Sequence, residues 1–146
     1  MGDITTESLN LNSQNVTCNI VSKAKGILSG NEVARRVFQK IDKSIKYTEQ
    51  TKDSETLNNG TVIAKIFGDK NSILKAERTA LNFLQRMSGV ASLTNEYVNL
   101  VKNISIFDTR KTIPGWRTLD KYAVKCGGGN NHRTVSYTHL TLPTKA

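Results

Sequence analysis

The spacing of apolar positions changes twice in the first half of the chain, and each change predicts an element. Val16 to Val21 and Thr61 to Phe67 have the short, β-branched and aromatic character of strands. Between them Val33, then Val37 or Phe38, then Ile41 recur at helical steps, so Asn31 to Ile41 is predicted as a helix. Core packing is sufficient to explain that stripe. The stretch from Glu49 to Gly60 is polar and ends in Asn58, Asn59 and Gly60, a turn signal. Together these segments read as a small α+β layer.

Helical spacing then takes over. From about Leu74, the positions Ala80, Phe83 and Leu84, Met87, Val90 and Ala91 repeat at steps of three and four residues. Ser88 and Gly89 are expected to weaken or bend the end of this helix, because glycine costs roughly 1 kcal/mol relative to alanine inside a helix. A second helical piece, Asn95 to Lys102, leads into Ile104 to Phe107, which alternates toward a strand. Pro114 and Gly115 enforce a turn, and Leu119 to Lys125 reads as another helix stopped by Gly127. Helix, strand and helix in succession suggest the opening units of a parallel α/β sheet or barrel.

Composition narrows the class. A chain of 146 residues with 37% hydrophobic content can bury one ordinary core. No apolar run approaches the roughly 20 residues that span a bilayer, and no secretion signal opens the chain, so the expected compartment is the cytosol. Cys18 and Cys126 have neither the count nor the spacing of a disulfide framework or a zinc site, and both are expected to be reduced thiols. Matches to a myristoylation pattern at Met1, Gly2 and Thr6, and to sequons at Asn15 and Asn59, are common by chance.

The formal charge of +9 fits nucleic acid, an acidic surface or small anions, and distribution decides among them. Lys23, Lys25, Arg35, Arg36, Lys40, Lys43 and Lys46 are spread out without interleaved aromatics, which marks a solvated surface rather than a base-stacking platform. Between residues 101 and 133, Lys102, Arg110, Lys111, Arg117, Lys121, Lys125 and Arg133 stand against Asp108 and Asp120, an excess of five positive charges. Arg110 and Lys111 follow the predicted strand at its C-terminal end, where α/β folds bind ligands because the loops there carry chemistry on a rigid sheet. Arginine suits forked recognition of a carboxylate, and lysine offers a compact charge to phosphate. Gly127, Gly128 and Gly129 lack the Lys and Ser or Thr of a P-loop and by themselves say only that a helix ends. His132 with Arg133 adds a donor that orients an anion and a fork that clamps it.

Four segments in order, Gly2 to Thr6 (Gly-Asp-Ile-Thr-Thr), Glu77 to Gly89 (Glu-Arg-Thr-Ala-Leu-Asn-Phe-Leu-Gln-Arg-Met-Ser-Gly), Asp108 to Thr112 with Pro114 and Gly115, and Gly127 to Arg133, closely resemble the quinolinate phosphoribosyltransferase family. The resemblance runs from Gly2 to Arg133. It implies an α/β fold: an N-terminal α+β sandwich domain over 1–76, then the opening units of an incomplete parallel α/β barrel over 77–133. It implies a pentosyltransferase, a carboxylating nicotinate-nucleotide diphosphorylase of NAD biosynthesis. Such an enzyme moves a phosphoribosyl group from phosphoribosyl pyrophosphate to the ring nitrogen of quinolinate and decarboxylates the product to nicotinate mononucleotide.

Residue by residue, the resemblance implies that Arg78 reaches across a homodimer or larger homo-oligomer to the dicarboxylate in a neighbouring site. It further implies that Thr109, Arg110 and Lys111 line the site, with Lys111 as the catalytic group, and that His132 and Arg133 hold quinolinate. Magnesium is expected with phosphoribosyl pyrophosphate, its ligands lying outside this sequence. The resemblance implies an enzyme about double this length that opens with a leading helix, so the chain is expected to begin late. The chain is therefore expected to be an inactive fragment with half a site, and residues 134–146 are expected to be a non-native tail. Two other readings stand beside this one: a homologous phosphoribosyltransferase-like protein associated with molybdenum transport, and, from another class, a basic nucleic-acid-binding module.

Overall fold

The computed structural model describes residues 14–101 and 103–132. In chain order the elements are β1 (Asn15–Val21), β2 (Gly26–Ile27), α1 (Asn31–Ile41), β3 (Lys46–Glu49), β4 (Thr56–Leu57), β5 (Val62–Asp69), α2 (Lys70–Leu100) and α3 (Arg117–Cys126). Strand β5 is central in a three-stranded antiparallel sheet, with β1 on one side and β3 on the other. Its alternation fits that place: Ala64, Ile66 and Gly68 turn inward and are buried, while Lys65 and Phe67 turn out. A two-residue ribbon pairs β2 with β4.

Helices α1 and α2 pack together, and α2 also meets β5. The core joins Leu28, Phe38, Ile45, Ile66, Ile73 and Leu84 with the small residues Ala34, Ala76 and Ala80. Helix α1 spans the residues that periodicity predicts, but its inward face is set differently. Asn31, Ala34 and Phe38 are buried, whereas Val33 and Val37 are half-buried and Ile41 is exposed. Alanines on both helices let their axes approach, and the branched side chains are left at the margin of the contact. Gly30 supplies no side chain to cap α1. Asp53 does so from another loop, accepting from the N–H groups of Gly30 (2.9 Å) and Asn31 (3.1 Å).

The two predicted helical pieces before residue 102 are one helix. Asp69 caps α2 by accepting from the Ser72 amide at 3.0 Å, and the helix continues through Ser88 and Gly89 to Leu100. Tertiary contacts offset the glycine's cost: Ser29 N–H donates to Ser88 Oγ (3.1 Å), and Ile27 N–H donates to Ser92 Oγ (2.8 Å). The predicted strand Ile104 to Phe107 is reduced to a single parallel bridge, Phe107 to Asn130. A ladder needs a neighbour along its length, and among the described residues Asn130 alone pairs with it. Asn58 to Gly60 forms the predicted turn, closed by Thr61 N–H to the Asn58 carbonyl at 3.0 Å. Cys18 and Cys126 are free thiols. Among the described residues no helix is long and apolar enough to cross a membrane.

Candidate active site

The site is built where α3 docks on α2. At the start of α3 the Trp116 ring stacks on Phe83, centroids 5.1 Å apart, with the Arg86 guanidinium 4.9 Å from the Trp116 ring centre. Arg86 also pairs with Asp120 at 3.2 Å. Midway, Ala123 is wholly buried, and Tyr122 Oη donates to Asp53 at 2.8 Å, tying α3 to the carboxylate that caps α1. Burial and the Asp53 carboxylate push the Tyr122 phenol well above its ordinary range, so it stays a donor. At the far end Cys126 joins Ile27 and Ala91 in a second small cluster.

Here the glycine run has its explanation. A Cβ on Gly127 would lie 2.2 Å from the Ala91 carbonyl oxygen, and one on Gly129 would lie 2.8 Å from both Thr94 Cγ2 and Val124 Cγ1. These glycines bring the chain hard against α2 before it turns back toward Phe107. On that return, Asn130 N–H donates to the Ile106 carbonyl (2.7 Å) and Asp108 N–H to the Asn130 carbonyl (3.0 Å).

Asp108 gathers the two predicted segments. Its Oδ1 accepts from the His132 amide at 2.7 Å, and its Oδ2 accepts from Lys121 Nζ at 2.6 Å. Lys121 Nζ also donates to the His132 carbonyl at 3.0 Å. With its amide nitrogen turned inward, Asn131 donates to Asp108 Oδ2 (3.0 Å) and to the Lys121 carbonyl (2.9 Å). The neighbouring turn leaves Thr109, Arg110 and Lys111 exposed, with Lys111 N–H donating to Thr109 Oγ1 at 3.1 Å. Neither Arg110 nor Lys111 has an ion-pair partner among the described residues. The His132 ring is exposed and meets the Phe107 ring edge-on at 6.3 Å.

The structure therefore brings Thr109, Arg110, Lys111 and His132 to one end of the molecule. Arg78 is not brought there. It lies on the exposed face of α2, thirteen residues before the Ala91 contact, or about 20 Å along the helix axis. Arg133, Lys102, the Gly2 to Thr6 motif and residues 134–146 lie outside the described residues. By charge alone Lys121 belongs to the positive lining, and nothing in the sequence gives Asp108 a task. The structure joins them, and no local signal marks the pairing of residues thirteen apart.

The family model for the quinolinate phosphoribosyl transferase N-terminal domain matches residues 3–88, and that for the C-terminal domain matches 90–144. The chain belongs to the quinolinate phosphoribosyl transferase family. The resemblance read from Glu77 to Gly89 and from Asp108 to Gly115 is thus borne out. Among relatives, the probable nicotinate-nucleotide pyrophosphorylase (carboxylating) of Bacillus subtilis is 41% identical over 97% of this chain and 49% of its own length. A decarboxylating quinolinate phosphoribosyltransferase of Nicotiana tabacum is 38% identical over 91% of this chain and 38% of its own length. The crystal structure of NadC from Streptococcus pyogenes superposes with a TM-score of 0.87 at 39% identity, covering 92% of this chain and 50% of that one. The chain spans about half the length, or less, of these members of the family. The Streptococcus pyogenes structure shares its mixed α/β architecture.

Proposed function

We propose that the chain carries the N-terminal layer and the first part of the active site of a quinolinate phosphoribosyltransferase. The whole enzyme breaks the bond between C1 of phosphoribosyl pyrophosphate and pyrophosphate, and joins C1 to the ring nitrogen of quinolinate. The carboxylate beside that nitrogen then leaves as carbon dioxide, a proton replaces it, and nicotinate mononucleotide results. One observation carries the reading: in a chain of this family, Arg110 and Lys111, exposed and without an ion-pair partner among the described residues, stand beside a segment tied back through Asp108, so a forked and a compact cation lie next to each other.

In this reading Arg110 and Arg133 grip carboxylates by their forks, and Thr109 and His132 donate at the rim. Lys111 is the catalytic group because its fixed charge stabilises the charge that grows on departing pyrophosphate. Residues 1–76 are the N-terminal layer and 77–133 open the barrel, with α2 belonging to both. The separation of Arg78 from the other residues supports a homodimer or larger assembly in which Arg78 serves a neighbour's site. The free thiols suit a cytosolic enzyme.

Magnesium would arrive on the phosphates of its substrate, as that ion usually does. Asp108 does not fit it as a ligand, since both carboxylate oxygens are engaged by Lys121 and His132. Among the described residues no group of three or more His, Cys, Asp or Glu side chains could hold a metal ion.

The reading is tested by titration calorimetry of the chain with quinolinate, and with nicotinate as the control lacking one carboxylate. Quinolinate is expected to bind about tenfold more tightly, or about 1.4 kcal/mol, and Arg133→Ala to abolish the difference. Equal binding of the two acids by a folded sample would defeat it. Affinity for duplex DNA with a steep salt dependence, and none for either acid, would put the nucleic-acid module in its place.

A further inference from the structure

We infer that Asp108 and Lys121 are positioning residues that hold His132, and with it the segment entering Arg133, at a fixed place beside the Thr109–Lys111 turn. The inference rests on the proposed function only for the identity of the anion. Three hydrogen bonds close a ring through these residues. Asp108 takes the His132 amide, Lys121 takes the His132 carbonyl, and the two side chains take each other. Both backbone groups of His132 are thus fixed by charged partners, which make the shorter and stronger class of hydrogen bond.

Burial gives the pair this role and denies it another. The side chains of Asp108 and Lys121 are 6% and 12% exposed, so neither is presented to a ligand. Charge explains why both are needed. A lone carboxylate one residue from Thr109 and two from Arg110 would repel an incoming dianion and draw the arginine onto itself. Lys121 cancels that charge, leaving Arg110 and Lys111 without an ion-pair partner among the described residues, while the carboxylate keeps its hold on the His132 amide. Lys121 thus leaves the positive lining in which the charge count placed it. It supplies neutrality and geometry, and its neighbours supply attraction.

The test uses amide hydrogen exchange by NMR on the 146-residue chain, with quinolinate and inorganic pyrophosphate as probes. Asp108→Asn leaves a buried ammonium unpaired and is open to misfolding. The deciding variant is therefore the double substitution Asp108→Leu with Lys121→Met, which leaves neither charge stranded. Its sheet amides, Ile66 for example, are expected to keep their protection. Its His132 amide is expected to shift upfield and exchange about tenfold faster or more, with quinolinate and pyrophosphate binding weakened about tenfold. The single variant Lys121→Arg, which keeps Asp108 and a donor cation, is expected to retain both readouts. Unchanged exchange at His132 in the double variant overturns the inference, as does unchanged anion affinity alongside faster exchange. A parent chain that binds neither probe defeats the anion-site reading, and exchange at His132 then decides the positioning alone.

Discussion

Along α2 the first half carries Ile73, Ala76, Ala80 and Leu84 into the core beneath the sheet, while beyond Thr94 the helix leaves Tyr97 and Leu100 exposed. Ile104, Phe107 and Ile113 follow in the same condition. The N-terminal region is held by apolar burial, which is strong but indifferent to where any one polar atom sits. The region from 103 to 132 has only a small apolar seam, Ala123 and Cys126, and adds directed contacts to it: the Asp108–Lys121–His132 ring, the Tyr122–Asp53 bond and the Trp116 stack. Such contacts add less stability, but they fix positions to a few tenths of an ångström, which is what a site for a small anion needs. Apolar packing and directed contacts dominate at different ends of one helix.

The largest expected effect breaks that comparison if it fails. Phe38 is 1% exposed in the N-terminal core, whereas Phe107 is 52% exposed beside the site. Phe38→Ala is expected to cost about 3–5 kcal/mol in urea unfolding, the usual cost of emptying a packed aromatic site. Phe107→Ala is expected to cost under about 1 kcal/mol while weakening anion binding, since the ring braces His132. Comparable losses of stability would mean that the second region has an apolar core of its own.

A smaller effect probes the seam. Gly127→Ala places a Cβ against the Ala91 carbonyl and Thr94, so α3 must lift from α2. About 1–3 kcal/mol of destabilisation is expected, as for other overpacked sites, with the loss confined to 103–132 in amide exchange. Alanine at Gly89, where a Cβ meets nothing within 4 Å, is the control, expected to be neutral or stabilising by up to about 1 kcal/mol. Loss of protection throughout the sheet in Gly127→Ala would show that the two regions unfold as one.

The N-terminal region was also the more legible in the sequence, for the same physical reason. Helical spacing marks the limits of α1, though not its inward face, and β-branched and aromatic runs mark β1 and β5. Strand β3 escaped because Lys46, Thr48 and Glu49 lie exposed along a sheet edge, where no apolar alternation is required. Its one inward side chain, Tyr47, is paid for by a hydrogen bond to Asn31 rather than by a pattern. Near the site, the local run Ile104 to Phe107 suggested more strand than its pairing sustains. Arg110, Lys111 and His132 stand out in the sequence because their types and order resemble a family's motifs, and the structure sets them at one end of the molecule. The Asp108–Lys121 pair was invisible because a lysine on a short helix ordinarily reads as solvated, and only the fold turns it inward.

The smallest expected effect sets an exposed ion pair against the buried one. Glu32, in the first turn of α1, accepts from Arg36 at 2.7 Å and from Arg35. The hydrogen bonds from Arg36 and then Arg35 hold its carboxyl below the usual range. A carboxylate depressed in the folded state adds stability above its unfolded pKa and loses it as pH falls through the folded value. Both partners are open to solvent, so screening reduces the gain to about 0.3–0.5 kcal/mol. Glu32→Gln is therefore expected to lower the urea midpoint only slightly at pH 7. That difference should shrink as pH falls below about 4.3, the ordinary glutamate value, and should vanish in about 1 M salt. If Glu32→Gln cost as much as Gly127→Ala, or kept its effect in high salt, charge would be holding the N-terminal region together too, and the division between a packed end and a stapled end would be lost.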